Sequence, residues 1–166
     1  KSPIYLIEKK EDLDKLTISR NQKIAYVTQT TLSLDDTELI VKAIKKKFEH
    51  VIEPRKNDIC YATTNRQEAV KRIAALCDIF IVIGAQNSSN SIRLVEVAKQ
   101  NGSKNSLLLE NIEKFDNKIL NNVKNIGLTA SASAPEILVQ NFIKILKKKY
   151  DVLVCEQDYI PENISF

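Results

Sequence analysis

The 166-residue chain has no methionine, one histidine, three glycines and three cysteines, and each shortage removes a class of protein. With no methionine and a start of Lys1-Ser2-Pro3-Ile4, the sequence is expected to begin inside a longer polypeptide. No continuous apolar stretch follows the first basic residue, so no secretory leader and no secreted location are expected. No apolar run approaches the roughly 20 residues of a membrane helix, so no membrane partner is expected either. The lone histidine, His50, sits among charged residues, which excludes a Ser/His/Asp triad and marks a surface position. Gly84 is followed by Ala85-Gln86-Asn87-Ser88, with no second glycine and no lysine at the helix start, so a Walker A loop and a Rossmann fingerprint are both absent. Cys60, Cys77 and Cys155 are odd in number and lack C-x-x-C spacing. That argues against a disulfide framework and a self-contained zinc site, and for a reducing compartment.

What is present describes a folded soluble chain. Hydrophobic residues make up 43% and charged residues 28%, enough for one core or two small lobes. The net charge is +4, but the lysines cluster in short runs, Lys45-Lys46-Lys47 and Lys147-Lys148-Lys149, at the ends of expected helices. There they complement the helix dipole and stay solvated, so no nucleic-acid partner is expected.

Apolar runs and helical patterns alternate. Strands are expected at 24–27, 51–52, 79–83, 107–109, 126–128 and 152–154. Helices are expected at 34–48, 67–76, 91–99 and 135–150, with a short one near 118–123. This βαβ series predicts an α/β fold of parallel-sheet lobes with flanking helices. Residues 79–83, Ile-Phe-Ile-Val-Ile, show no polar alternation, as in a strand covered on both faces. Leu138, Phe142, Ile145 and Leu146 form one stripe of the last helix. Ser33 with Asp36, Thr64 with Gln67, and Pro135 mark helix starts. The expected lobes are 1–56, the C-terminal part of one α/β lobe, and 57–150, the next α/β lobe, followed by a tail at 151–166. Cys77 and Cys155 are read as core residues.

Four strand-to-helix loops are rich in small hydroxyl and amide residues: Thr28-Gln29-Thr30-Thr31, Cys60-Tyr61-Ala62-Thr63-Thr64-Asn65, Asn87-Ser88-Ser89-Asn90-Ser91, and Thr129-Ala130-Ser131-Ala132-Ser133-Ala134. Such loops lie at the carboxyl ends of parallel strands, where helix N-termini offer free N–H groups to phosphates. Ordinary capping explains one such residue per loop, so from residues alone anion binding and capping both stand. Cys60, heading its loop, is open to two readings, a metal-ligating thiolate or an inert thiol.

These loops together resemble the 4-hydroxy-3-methylbut-2-enyl diphosphate reductase (IspH/LytB) family. The likeness is carried by Thr28-Gln29-Thr30-Thr31-Leu32-Ser33 and by Pro54-Arg55-Lys56-Asn57-Asp58-Ile59-Cys60-Tyr61-Ala62-Thr63-Thr64-Asn65. Asn87-Ser88-Ser89-Asn90-Ser91 and Ser133-Ala134-Pro135-Glu136-Ile137-Leu138 extend it. The resemblance implies the C-terminal part of a three-lobed enzyme around a [4Fe-4S] cluster, with Cys60 as one of three cysteine ligands. It implies that Ser88, Ser89, Asn90 and Ser133 bind the substrate diphosphate and that Thr30 helps order the proton path at the hydroxymethyl end. Thr31, Thr63 and Asn65 would orient groups beside the cluster ligand. Implied partners are hydroxymethylbutenyl diphosphate, the N-terminal part of the same protein, and a ferredoxin or flavodoxin donor. The implied location is a plastid or apicoplast, otherwise a bacterial cytoplasm. The family usually has glycine where this chain has Ser131, whose Cβ is expected to narrow that loop's backbone choices. The other cluster cysteines, the substrate-binding histidines and the proton-delivering glutamate lie upstream of the matched region, so this chain alone is expected to be inactive. A non-catalytic α/β module that binds a phosphorylated ligand is the alternative.

Overall fold

In the computed structural model the alternating pattern becomes an α/β chain of two units, Lys1–Cys60 and Tyr61–Phe166, and residues 2–54 and 59–156 are described. The expected lobe division between 56 and 57 falls outside the described residues, as does most of the expected tail, residues 157–166.

The first unit holds a 3-10 turn, Lys10–Lys15, then β1, Ile24–Ala25, α1, Leu34–Lys47, and β2, Val51–Ile52. The strands pair in parallel, Ile24 opposite Val51, and are much shorter than the apolar run at 24–27 suggested. Val27 is 86% exposed. Helix α1 begins where Ser33 Oγ accepts the Asp36 N–H at 3.3 Å, as the sequence predicts. Asp35 and Asp36 lie in its first turn and Lys45, Lys46 and Lys47 in its last, each sign at the dipole end that favours it. Leu13, Ile44 and Phe48 form the buried centre, with Ile24, Ile40 and Val51 against them. His50 is exposed, as expected.

The second unit runs α2, Tyr61–Ile73, β3, Ile79–Ile83, α3, Ser89–Gln100, β4, Ser106–Leu109, β5, Ile126–Ala130, and α4, Glu136–Lys147. Its sheet is parallel with the order β4-β3-β5. All five β3 side chains are buried. Ile79, Ile81 and Ile83 pack with Phe142 and Leu146 of α4, whereas Phe80 and Val82 pack with Val70 of α2 and Leu94, Val97 and Ala98 of α3. Thus α4 covers one face of the sheet, and α2 and α3 cover the other. Phe142 also meets Phe115 edge-to-face, centroids 4.9 Å apart. Helix α3 ends at Asn101, whose side chain donates to the Val97 carbonyl at 2.8 Å, and Gly102 follows with φ of 98°.

Three expectations need correction. Helix α2 starts at Tyr61, so Thr64 lies inside it and caps nothing, and the Cys60–Asn65 cluster is mostly helix, not loop. Its buried face includes Thr63 and Gln67 beside Val70, and those polar residues hid the first turns from apolar periodicity. Residues 152–154 form no strand; Val152 packs on the core, but Leu153 is 89% exposed. Cys155 is consequently exposed, not core. Smaller shifts follow the same logic: Pro135 is the extended residue just before α4, and the helix expected near 118–123 is a 3-10 turn, Asn117–Leu120.

Asp78 ties the entry of β5 to that of β3, its Oδ2 accepting the Lys124 and Asn125 N–H groups at 2.9 Å each. The Asn125 and then the Lys124 N–H hold its carboxyl below the ordinary carboxylate value. A lowered folded pKa gives stability that is present above the unfolded value, about 3.9, and lost as pH falls through the folded one. Acid titration of stability should therefore show less loss below about pH 4 in Asp78→Asn than in the parent chain. Phe142→Ala should cost about 3–5 kcal/mol in chemical denaturation, as expected for a large aromatic removed from a closed core.

Candidate anion-binding site and cysteine ligand

The middle strand of the second unit creates the site. The chain leaves β3 for α3 on one face and leaves β5 for α4 on the other, and the carboxyl ends of adjacent strands whose connections diverge in this way are where open α/β sheets bind ligands. Ile83 is opposite Ala130, and the ladder continues one step as Ser131 N–H donates to the Ile83 carbonyl at 2.9 Å. On the other side Gly84 N–H donates to the Leu109 carbonyl at 3.1 Å. The loops at 84–88 and 131–135 are thus held side by side.

Ser88 caps α3, its Oγ accepting the Ser91 N–H at 3.3 Å, and Ser89 is the exposed first residue of the helix. Asn90 is only 5% exposed, yet neither its amide nitrogen nor its amide oxygen has a hydrogen-bond partner among the described residues. Ser91 is fully buried, and its Oγ is likewise unpartnered. Leaving a buried polar group unsatisfied costs about 1–3 kcal/mol, so these atoms sit at the helix N-terminus as unmet donors and acceptors. Gly84 makes their placement possible. A Cβ there would collide with Ser91 Oγ and come within 3.1 Å of Ser131 Oγ. Ser131 is 1% exposed, and its Oγ lies 3.3 Å from that of the exposed Ser133. The structure therefore links the start of α3 to Ser133 through Ser91, the space over Gly84, and Ser131. Neutral donors gathered at a positive helix end suit a phosphate or diphosphate. Ser131 does not take a positive φ: Asn122 is the one non-glycine residue that does among those described, so the expected constraint at Ser131 brings no strain.

In the first unit, the Cys60 N–H donates to the Thr30 carbonyl at 3.2 Å, which fixes the cysteine beside the β1–α1 loop. The thiol is exposed and in no disulfide. Thr30 is exposed, and Thr31 Oγ1 is buried without a partner. Cys60 is thus an anchored, accessible cysteine, the kind of residue that can contribute one ligand to a metal group. No group of three His, Cys, Asp or Glu able to hold a metal occurs among the described residues, so the rest of a cluster's ligands are not supplied by them. Burial first, and the Asp78 carboxylate second, push the Cys77 thiol up, which keeps it protonated and unsuited to ligation. Thr63, 2% exposed, and the half-buried Asn65 belong to α2 in the second unit. No helix among the described residues is long and apolar enough to cross a membrane.

Residue-type reasoning singled out Ser88, Ser89, Asn90 and Ser133 but gave no role to Gly84 or Ser91. The signal for Gly84 was available: in a chain this poor in glycine, one stands at the end of the most buried strand. The LytB protein family model matches residues 1–147. The chain belongs to the LytB family. It is 47% identical over 163 residues to the 4-hydroxy-3-methylbut-2-enyl diphosphate reductase of Methylococcus capsulatus, covering 98% of this chain and 52% of that one. It is 51% identical over 147 residues to the reductase of the same name from Wigglesworthia glossinidia brevipalpis, covering 89% of this chain and 46% of the relative. The solved structure of the E-1-hydroxy-2-methyl-but-2-enyl-4-diphosphate reductase from Plasmodium falciparum aligns with a TM-score of 0.79 at 44% identity, over 86% of this chain and 45% of that one. This LytB chain spans about half the length of the curated relatives it matches.

A buried amide left unsatisfied carries a stability cost, and that is measurable. Asn90→Leu should leave the ligand-free chain as stable as the parent or about 1–2 kcal/mol more stable in denaturant, because it removes two unmet polar atoms. A clear loss of stability would mean that Asn90 is already satisfied within the fold.

Proposed function

We propose that this chain is the C-terminal part of a 4-hydroxy-3-methylbut-2-enyl diphosphate reductase and that its second unit holds the substrate's diphosphate. The observation that carries the reading is the orphaned Asn90 amide, 95% buried at the start of α3, with Ser91 beside it in the same state. Ser88, Ser89 and Asn90 meet the anion from the helix end, and Ser133 meets it from the β5–α4 loop. These groups are neutral, so they orient the diphosphate by hydrogen bonds and leave the burden of charge to the helix dipole. Likeness to reductases at 47% identity supports the assignment beyond simple phosphate binding.

Cys60 supplies one of three thiolates to a [4Fe-4S] cluster, and the others come from the N-terminal part of the same protein. The cluster, when bound, delivers the electrons for reductive removal of the substrate hydroxyl, giving isopentenyl and dimethylallyl diphosphates. The anchoring of the Cys60 N–H on the Thr30 carbonyl holds ligand and threonine in one place, so the Thr30 hydroxyl can order a proton path near the reacting end. Thr31 orients this region without reacting. A ferredoxin or flavodoxin provides the electrons.

The test uses the complete reductase, with reduced viologen as donor and hydroxymethylbutenyl diphosphate as substrate. Cys60→Ser should lose iron and lower turnover at least about a hundredfold, since even mutating the residues that support metal ligands costs about 10- to 100-fold. A variant that keeps full iron content and activity would overturn the ligand assignment. A protein that binds diphosphate but contains no iron or sulfide would instead be the non-catalytic phosphate-binding module.

A further inference from the structure

Ser131 is the most completely buried hydroxyl-bearing residue of the β5–α4 loop, at 1% exposure, and it does not face the solvent that the anion would enter from. Its backbone is fixed by the N–H bond to the Ile83 carbonyl at 2.9 Å, and its carbonyl accepts the Ala134 N–H at 2.9 Å. With both backbone groups occupied, the residue has little freedom, and its side chain is set between two neighbours. On one side Oγ lies 3.3 Å from Ser133 Oγ, and on the other it shares the space over Gly84 with the unpartnered Ser91 Oγ. Capping does not explain it, because α4 has no side-chain cap and begins after Pro135.

We infer that Ser131 is a positioning residue for the diphosphate, acting through Ser133. This rests on the functional reading above. Without an anion, the Ser133 hydroxyl can donate to Ser131 Oγ. When an anion takes the Ser133 proton as a hydrogen bond, the pair reverses, with Ser131 donating to Ser133 Oγ and holding it in the donating orientation. A hydroxyl that receives one hydrogen bond while giving another is polarised toward stronger donation. Ser131 would therefore contribute to anion affinity without touching the anion.

The experiment is a double-mutant cycle in the complete reductase, with KM and kcat for hydroxymethylbutenyl diphosphate and inhibition by inorganic diphosphate as readouts. Ser131→Ala should raise KM and the inhibition constant about three- to tenfold, the weight of one neutral hydrogen bond, and leave kcat within about twofold. In a Ser133→Ala background the same change should have no further effect, since its route to the anion is gone. Equal effects of Ser131→Ala in both backgrounds would overturn the inference and leave a purely structural residue. An effect of Ser133→Ala with none from Ser131→Ala would also overturn it while the binding site stands. No effect from Ser133→Ala on either readout would remove the site itself. Thermal melting of each variant separates loss of folding from loss of affinity: a melting point lowered as much as affinity is weakened counts against positioning.

Discussion

The structure of the second unit depends on one constraint: β3 must be covered on both faces. Five apolar side chains alternate to two sides of a single strand, and neither side can be left to water without exposing much of the core. Helices α2 and α3 cover the side of Phe80 and Val82, and α4 covers the side of Ile79, Ile81 and Ile83. Because the segments that follow β3 and β5 must go to opposite faces, they part at the carboxyl ends of the strands, the place where open α/β sheets bind ligands. The site is thus a consequence of how the core is closed, and the polar residues at 88–91 and 131–133 are placed by apolar packing behind them.

That arrangement explains why these strand ends tolerate polar groups the rest of the core excludes. The ladder bonds at Ser131 and Gly84 hold the backbone of both loops, so the side chains there do not need to stabilise their own positions. Asn90 and Ser91 can then remain unsatisfied on a rigid helix end, where a flexible loop would turn to satisfy them. In the first unit the corresponding device is smaller. One backbone hydrogen bond to the Thr30 carbonyl anchors Cys60, whose thiol is exposed, and no group of three metal-ligating side chains occurs among the described residues.

Sequence alone shows the α/β order, because strong signals coincide: the unbroken run at Ile79–Ile83, the Ser33 cap with Asp36, and the stripe of Phe142 and Leu146 all agree with the structure. It misses the start of α2, where buried Thr63 and Gln67 mimic an exposed segment, and it overreads 152–154, where three apolar residues have no sheet to join. At the site, the excess of hydroxyls over capping needs was readable in Asn87-Ser88-Ser89-Asn90-Ser91. Which of those atoms lack partners was not, because satisfaction depends on neighbours brought together across the sheet. Ser131 shows the same limit: as a residue type it suggested a stiffer loop, and only the positions of Ser133 and Gly84 reveal a second use for its hydroxyl.

A crystal structure of the complete reductase with inorganic diphosphate tests directly whether the ends of β3 and β5 form the proposed diphosphate site. The expected result is an anion at the N-terminus of α3, hydrogen-bonded to the Asn90 amide and to Ser133 Oγ, with Ser131 Oγ behind it. An anion bound elsewhere, with the Asn90 amide still unpartnered, would contradict it.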